Sequence, residues 1–437
     1  MAKAKKKEAL TPEERLQAAL VPDWEQPYKV PQNWCWAYLT KGAAECLDSF
    51  RKPINASERA NREGDIPYYG ATGQVGWIDN FLTNEQLVLV GEDGAPFLDL
   101  IKDKAYIIEG KAWVNNHAHI LRSRFGSTGN SFLMHYLNIF NYHGFVNGTT
   151  RLKLTQGSMD IMPVPIPPLP EQQRIVDRIE SLFAKLDEAK QKAQDALDSF
   201  ETRKAAILHK AFTGELTAQW RKEHDVGMES WAKKRFDEVA TIKSNLVDPA
   251  TFPDFPHIAP DNIEKKTGVL LEYHTVSEDG VTSGKHRFYP GQILYSKIRP
   301  YLSKVVVVDF DGLCSADMYP IEAKGNTKCL WYYMLSEEFL EQASTAGSRS
   351  VLPKINQKEL SALTVVLPTL SDEQTEIVRI LDDLLAKEQQ AKEAAEAVLE
   401  QIDLMKKSIL ARAFRGELGT NDPAEESAVE LVKDIIS

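Results

Sequence analysis

Cysteine is scarce: Cys35, Cys46, Cys314 and Cys329 are the only four in 437 residues, and no two stand in a C-x-x-C pair. That excludes a disulfide framework and makes a reducing cytoplasm the expected compartment. Long apolar runs are missing as well. The longest aliphatic stretches, Leu87-Val88-Leu89-Val90 and Val305-Val306-Val307-Val308, have four residues each, whereas a membrane-spanning helix needs about 20. No membrane association is expected. The opening cluster Lys3, Lys5, Lys6 and Lys7 runs into Glu8, Glu13, Glu14 and Arg15 where a signal peptide would carry its apolar stretch, so nothing here directs secretion.

A positive charge excess is also lacking. The formal net charge is -11, but the stretch from Glu417 to Ser437 alone holds six acids against Lys433. From Pro22 to Pro170 there are 13 basic and 15 acidic residues, and from Met228 to Pro368 there are 16 and 18. Both regions are near neutral, so any nucleic-acid face must be a local patch.

Self-sufficient active-site motifs are absent too. Gly70-x-x-Gly73-x-x-Gly76 has the wrong spacing for a dinucleotide fingerprint, and no βαβ pattern follows it. Gly280 to His286 imitates a phosphate loop but has three residues between its glycines and His286 where Ser or Thr should reach Mg²⁺. His117-Ala118-His119 puts two imidazoles on one strand face with no third ligand nearby in sequence, so no metal is expected. No Asn-Pro-Pro-aromatic or Asp-Pro-Pro-aromatic motif of a DNA amino-methyltransferase occurs. Asp309, Asp311, Glu322 and Lys324 loosely suggest a Mg²⁺-dependent nuclease, with a plain solvated surface as the competing reading.

What is present is a repeat. Glu171 to Leu216 aligns without a gap onto Glu373 to Leu418 at an offset of 202, with 19 of 46 positions identical. Each copy opens with Glu-Gln, continues to Ile-Val and closes with Ala-Phe-x-Gly-Glu-Leu, at Ala211 to Leu216 and Ala413 to Leu418. In the first copy Ile179, Leu182, Leu186, Ala189, Ala193, Ala196, Phe200 and Ile207 keep steps of three and four, broken at Arg203. In the second, Leu381, Leu384, Ala391, Ala395, Val398, Ile402, Met405 and Ile409 follow the same frame, broken at Glu388. That is a heptad seam. Prolines 167, 168, 170 and 368 precede the two helices, Ser371 is a candidate N-cap, and Gly214 and Gly416 follow them. Each helix then runs about 40 residues, or roughly 60 Å. The helices can pack on each other or each into its own domain; matched seams with Ala at the same positions favour mutual, antiparallel packing.

Both intervening regions read as mixed α and β. Trp34 with Leu39 is echoed by Trp231 with Phe236, and Gly148-Thr149-Thr150 by Gly347-Ser348-Arg349, so the two regions share a topology after divergence. The expected fold class is α+β: two mixed α/β domains separated by two long helices in an antiparallel coiled coil, with pseudo-two-fold symmetry. The boundaries are 1–22 for a basic helical extension, 23–170 and 230–368 for the domains, 171–216 and 369–418 for the helices, 217–229 for a linker and 419–437 for an acidic tail. In the extension, Thr11, Pro12 and Glu14 make a capping signature. In the first domain Ile66 to Trp77 reads as an aromatic loop. In the second, Lys285, Arg287, Lys297, Arg299 and Lys304 fall within 20 residues. Arg and Lys there can bind phosphates or guanine edges, and Asn, Gln and Tyr can read adenine. The plainer alternative is a strand face ion-paired to Asp309 and Asp311.

Two divergent domains, each followed by a copy of one long helix that opens Pro-Leu-Pro-Glu-Gln-Gln-Arg-Ile-Val at 168–176 and closes Ala-Phe-x-Gly-Glu-Leu, resemble the specificity subunit of a Type I restriction-modification system. Tyr68 to Gly73 and Leu294 to Leu302 are similar to segments of that family's target recognition domains. The likeness spans about Trp34 to Leu418. It implies that each domain reads half of a bipartite, asymmetric double-stranded DNA site and that the helices fix the spacer. It further implies that two modification subunits dock on the helices and that restriction subunits join them. S-adenosylmethionine, ATP and Mg²⁺ would then belong to those partners, with no cofactor or metal in this chain. The residues expected to meet DNA are Tyr68, Tyr69, Gly70, Thr72, Gln74, Asn115, Asn116 and His117 in the first domain. In the second they are Lys285, Arg287, Ser296, Lys297, Arg299, Tyr301 and Arg349. A nuclease using Asp309, Glu322 and Lys324, and a coiled-coil interaction protein without a nucleic-acid role, are the alternatives.

Overall fold

A computed structural model describes residues 10–346 and 353–437; the lysine cluster at 3–7 and Arg349 lie outside the described residues. The chain divides into two units. The first comprises residues up to Ala193 together with Ala397–Ser437, and the second is Gln194–Glu396. Each is described by itself.

In the first unit, strands Cys35–Tyr38 and Pro163–Ile166 pair antiparallel, so the entry to the region lies beside its exit. A four-stranded antiparallel sheet has the order Ala44–Cys46, Ala118–Ser123, Leu87–Gly91, Ala105–Ile108. Leu87 to Val90 are fully buried, which is why the run is apolar at every position and not at alternate ones. The second unit repeats the plan. Trp231–Arg235 pairs with Thr364–Pro368, and the sheet order is Ala240–Ile242, Met318–Ala323, Ile293–Ser296, Val305–Val307. A further sheet of different build completes each unit, four-stranded in the first and five-stranded in the second. The structure corrects one expectation here. Ile66–Gly70 and Gly73–Ile78 form a β-hairpin with a register shift at Tyr68/Tyr69, where an aromatic loop was expected.

The repeated segments are helical. The second runs unbroken over Ser371–Ala413, 43 residues, or about 65 Å. The first, expected to be continuous, is divided into Leu169–Asp198 and Phe200–Phe212. Ser199 is the cause: its hydroxyl donates to the carbonyls of Asp195 and Ala196 at 2.8 and 3.2 Å, competing with the helical ladder. Gly214 and Gly416 follow with φ of 81° and 73°, the left-handed conformation that ends a helix. A Cβ at Gly416 would lie 2.4 Å from Pro31.

Each core takes the start of one repeat copy and the end of the other. In the first unit Ile175, Val176 and Ile179 join Leu410, Ala413 and Phe414. In the second, Leu208, Ala211 and Phe212 join Ile377 and Leu381. Along the helices the first unit holds Asp187 to Lys406 at 2.5 Å and Lys190 to Asp403 at 3.8 Å. The second holds Arg203 to Glu388 at 2.8 Å. Of the expected seam residues, Ile179, Phe200, Leu381 and Ile402 are buried. Leu182, Leu186, Ile207, Leu384 and Ile409 are half-buried. Val398, Met405 and Ala391 depart from that expectation: all three are exposed, while Ala395 and Leu399 turn inward beside Val398. The apolar frame steps by one residue inside an alanine-rich stretch.

The segment expected as a linker carries the short helix Ala218–Glu223, and the C-terminal stretch carries Ala428–Ile436, whose Ala428 and Val432 are fully buried. Near the N-terminus, Thr11 caps the helix Pro12–Ala19 in a capping box with Glu14. No helix among the described residues is long and apolar enough to cross a membrane.

Candidate nucleic-acid interface

In the second unit the chain leaves the central strand Ile293–Ser296 and turns back into Val305–Val307 through one 3-10 turn, Pro300–Leu302. Arg299 and Ser303 flank it, both left-handed at φ 48° and 45°. Neither is glycine, so neighbours must hold this backbone in place. Pro300 is buried, Arg299 N donates to the Pro353 carbonyl at 2.8 Å, and the buried Ser296 hydroxyl donates to the Ile298 carbonyl at 3.1 Å. Arg299 and Tyr301 are left pointing outward, Tyr301 48% exposed.

The other cations of this cluster are engaged. Lys285 is buried and its ammonium donates to Ser283 at 2.7 and 2.9 Å, with burial lowering its pKa. Arg287 lies among the rings of Phe252, Phe255 and Tyr289 at 5.2, 5.6 and 4.8 Å, 3.8 Å from Asp311. Lys297 donates to the Ala316 carbonyl at 2.6 Å, and Lys304 to the Pro260 carbonyl at 2.7 Å. Arg299 is the one member of the five without a side-chain partner among the described residues. Sequence composition found the cluster but not this division, because Asp311, Ala316 and Pro260, which engage Arg287, Lys297 and Lys304, are remote from them in the chain.

In the first unit most expected contact residues are structural. Tyr68 is buried beneath Arg59, 4.9 Å from the ring, and its hydroxyl donates to the Ile54 carbonyl at 3.4 Å. Tyr69 packs beside Tyr106, whose hydroxyl donates to the Gly70 carbonyl at 2.6 Å. Asn115 is buried and accepts from His117 N at 2.8 Å, while the His117 ring meets Asp93 at 2.9 Å. Thr72, Gln74 and Asn116 are exposed. With them stand Val75 and Trp77, 49% and 56% exposed on the outer strand of their sheet, which sequence reading passed over. The signal was their place at alternating positions on the outer face of a hairpin.

Among the described residues one trio has metal-ligand character, Asp48, Glu92 and His119, with ligand atoms within 4.8 Å of one another. The donor set does not fit a metal. Arg51 contacts both carboxylates, Lys153 holds Glu92 at 2.9 Å, and His119 is spent on Asp48 at 2.6 Å and the Leu154 carbonyl at 2.9 Å. The suggested nuclease residues do not converge: Glu322 pairs with Lys243 at 2.7 Å, Lys324 donates to the Asp237 carbonyl at 2.8 Å, and Asp311 faces Arg287.

The family model described as Type I restriction modification DNA specificity domain matches residues 45–197 and again 228–401. The chain is 34% identical over 418 residues to the Type I restriction enzyme EcoDI specificity subunit of Escherichia coli, covering 91% of each. It is 24% identical over 327 residues to the EcoKI specificity subunit of Escherichia coli strain K12, 67% of each. The crystal structure of the HsdS subunit from Thermoanaerobacter tengcongensis shares the fold, with a TM-score of 0.60 and 18% identity over 90% of this chain and all of that one.

Proposed function

Because the chain belongs to the Type I restriction modification DNA specificity family and is the DNA-specificity subunit of such a system, we propose that its two units read the two halves of one bipartite, asymmetric site in double-stranded DNA. The observation that carries this is the repeated four-strand frame, which bears different exposed side chains in each unit. On the second it supports Arg299 and Tyr301. Beside it in the first stands the hairpin with Thr72, Gln74, Val75 and Trp77, next to Asn116. Arginine suits the O6 and N7 acceptors of guanine, and Gln or Asn suits adenine. Each half then needs only modest affinity, because binding of one holds the other near its target.

The two long helices act as an antiparallel coiled-coil ruler in a pseudo-two-fold arrangement and set the unread spacer. The ion pairs along them support this reading, since partner numbers fall on one helix as they rise on the other. Two modification subunits dock on the helices. In favour stands an uncharged strip, Val398, Leu404 and Met405, 37%, 59% and 40% exposed. Methylation and ATP-dependent cleavage belong to the other subunits of the system, which bind S-adenosylmethionine, ATP and Mg²⁺ in the cytoplasm. Mapping methylated adenines in the host genome with and without this chain tests the reading. A bipartite motif that vanishes with the chain is expected, and an unchanged methylome would refute it.

A further inference from the structure

Lys297 and Lys354 approach one oxygen, Oδ1 of Asp317, at 3.5 and 3.3 Å. Three separate segments deliver these side chains: the exit of strand Ile293–Ser296, the turn before Met318–Ala323, and the approach to helix Gln357–Ala362. Backbone contacts fix them together. Lys297 N donates to the Asp317 carbonyl at 3.0 Å and Ile355 N to the Lys297 carbonyl at 2.9 Å, while Ile298 and Lys354 form an antiparallel bridge. Lys297 is further fixed by the Ala316 carbonyl and the Tyr319 ring.

One carboxylate shared by two ammonium groups leaves a positive charge in excess, and Arg299, which has no side-chain partner among the described residues, adjoins it in the chain. The Lys354 side chain is 47% exposed and Asp317 41%, so the shared carboxylate is open to replacement by an incoming anion. We propose that Lys297 and Lys354 form a seat for one DNA phosphate beside Arg299, with Asp317 as the positioning residue that holds both ammonium groups together in the free protein. The inference rests on the DNA reading assigned above to the second unit. An ammonium is a point charge with three donors and suits a phosphate without the planar match a guanidinium needs. The phosphate contact fixes the register of the turn on the duplex, and Arg299 reads the base edge.

The test uses the full chain assembled with the modification subunits of its own system. Binding is measured across a salt series to a duplex carrying the methylated sequence mapped in the host genome and to a random-sequence duplex. Lys354→Gln should weaken both complexes by the same factor and make the slope of log K against log salt shallower by about 0.9. Lys354→Arg should restore the slope. Asp317→Asn, which frees both lysines from their internal counter-charge, should steepen it. Slopes unchanged in Lys354→Gln and Asp317→Asn, in a complex that still discriminates the two duplexes, would overturn the phosphate seat while sparing the reading of the second unit. Loss confined to the mapped sequence would overturn it too, by making Lys354 a base reader. A parent complex that cannot discriminate the duplexes would overturn the reading and the seat together.

Discussion

Arg203 and Glu388, the two residues that interrupt the apolar spacing of the repeated helices, meet at 2.8 Å. Each break in one seam answers the break in the other, so the pair marks register as well as contributing attraction. Both side chains are partly exposed, 36% and 21%, and solvent screens them. Removing either charge should destabilise the second unit by about 1 kcal/mol or less. Exchanging the charges, Arg203→Glu with Glu388→Arg, should recover most of the loss, and urea titration of the four proteins measures the coupling.

A larger effect is expected at Glu373. Burial alone would raise its carboxyl, but hydrogen bonds from Arg221, Thr217, Trp231 and Ser230 outweigh this and hold it below the usual glutamate range. Glu373→Ala leaves Arg221 buried without its carboxylate, a change that costs about 3–5 kcal/mol. Because the folded pKa is depressed, the carboxylate's contribution is complete above the ordinary glutamate range and is lost as pH falls through the lower folded value. Thermal unfolding against pH should show that acid-side loss in the parent and not in Glu373→Gln.

His135 gives the first unit an acid sensitivity at milder pH. Burial against Phe183 pushes its imidazole down to about 4. The unfolded chain therefore takes up a proton near the ordinary value of 6.5 while the folded chain does not. Stability should fall from about pH 6.5 toward pH 4, by up to about 1.4 kcal/mol per pH unit. His135→Gln should flatten that part of the curve.

Arg299→Ala should cost about 1–3 kcal/mol of binding to the mapped site and relax sequence choice at one base pair, with little change on random duplex. Methylome sequencing of the variant reads out the relaxation. An equal loss on every sequence would transfer Arg299 from base to phosphate.

The ruler is tested by seven residues inserted in both long helices, between Ala193 and Gln194 and between Glu396 and Ala397. These points leave Asp187 with Lys406, Lys190 with Asp403 and Arg203 with Glu388. One heptad preserves the seam and adds roughly 10 Å of helix, about three base pairs of duplex. The variant should shift methylation to sites with a longer spacer or lose bipartite sites altogether. Full modification of the original spacer would show that the helices do not set it.

The duplicated helices were legible because periodicity survives without knowledge of the partner, and the glycine and proline punctuation marked their ends. The frame failed locally at Val398, where Ala391, Ala394, Ala395 and Ala397 offer two nearly equal apolar stripes. The Glu-Gln that opens each copy was visible only as an identity. Its role required the fold: the Trp34 indole donates to the buried Glu171 at 2.8 Å, and that of Trp231 to Glu373 at 3.0 Å. The candidate interface was the least legible part. Which cations are engaged depends on carbonyls such as Ala316 and Pro260, and no local pattern announces a carbonyl as a partner.

The split composition of the first unit bears on the order in which the protein comes into being. Gln194–Glu396 is one uninterrupted stretch, so a ribosome delivers everything the second unit contains before it releases the chain's last segment. The first unit must wait for Leu410, Ala413, Phe414, Ala428 and Val432, all of which belong to its core. At about 5–20 residues per second, the intervening stretch of roughly 200 residues takes roughly 10 to 40 s to synthesise. Throughout that interval the surfaces around Trp34, Ile175 and Tyr136 stand uncovered. The part of the first unit that is translated first therefore completes its core only after the whole second unit has been made.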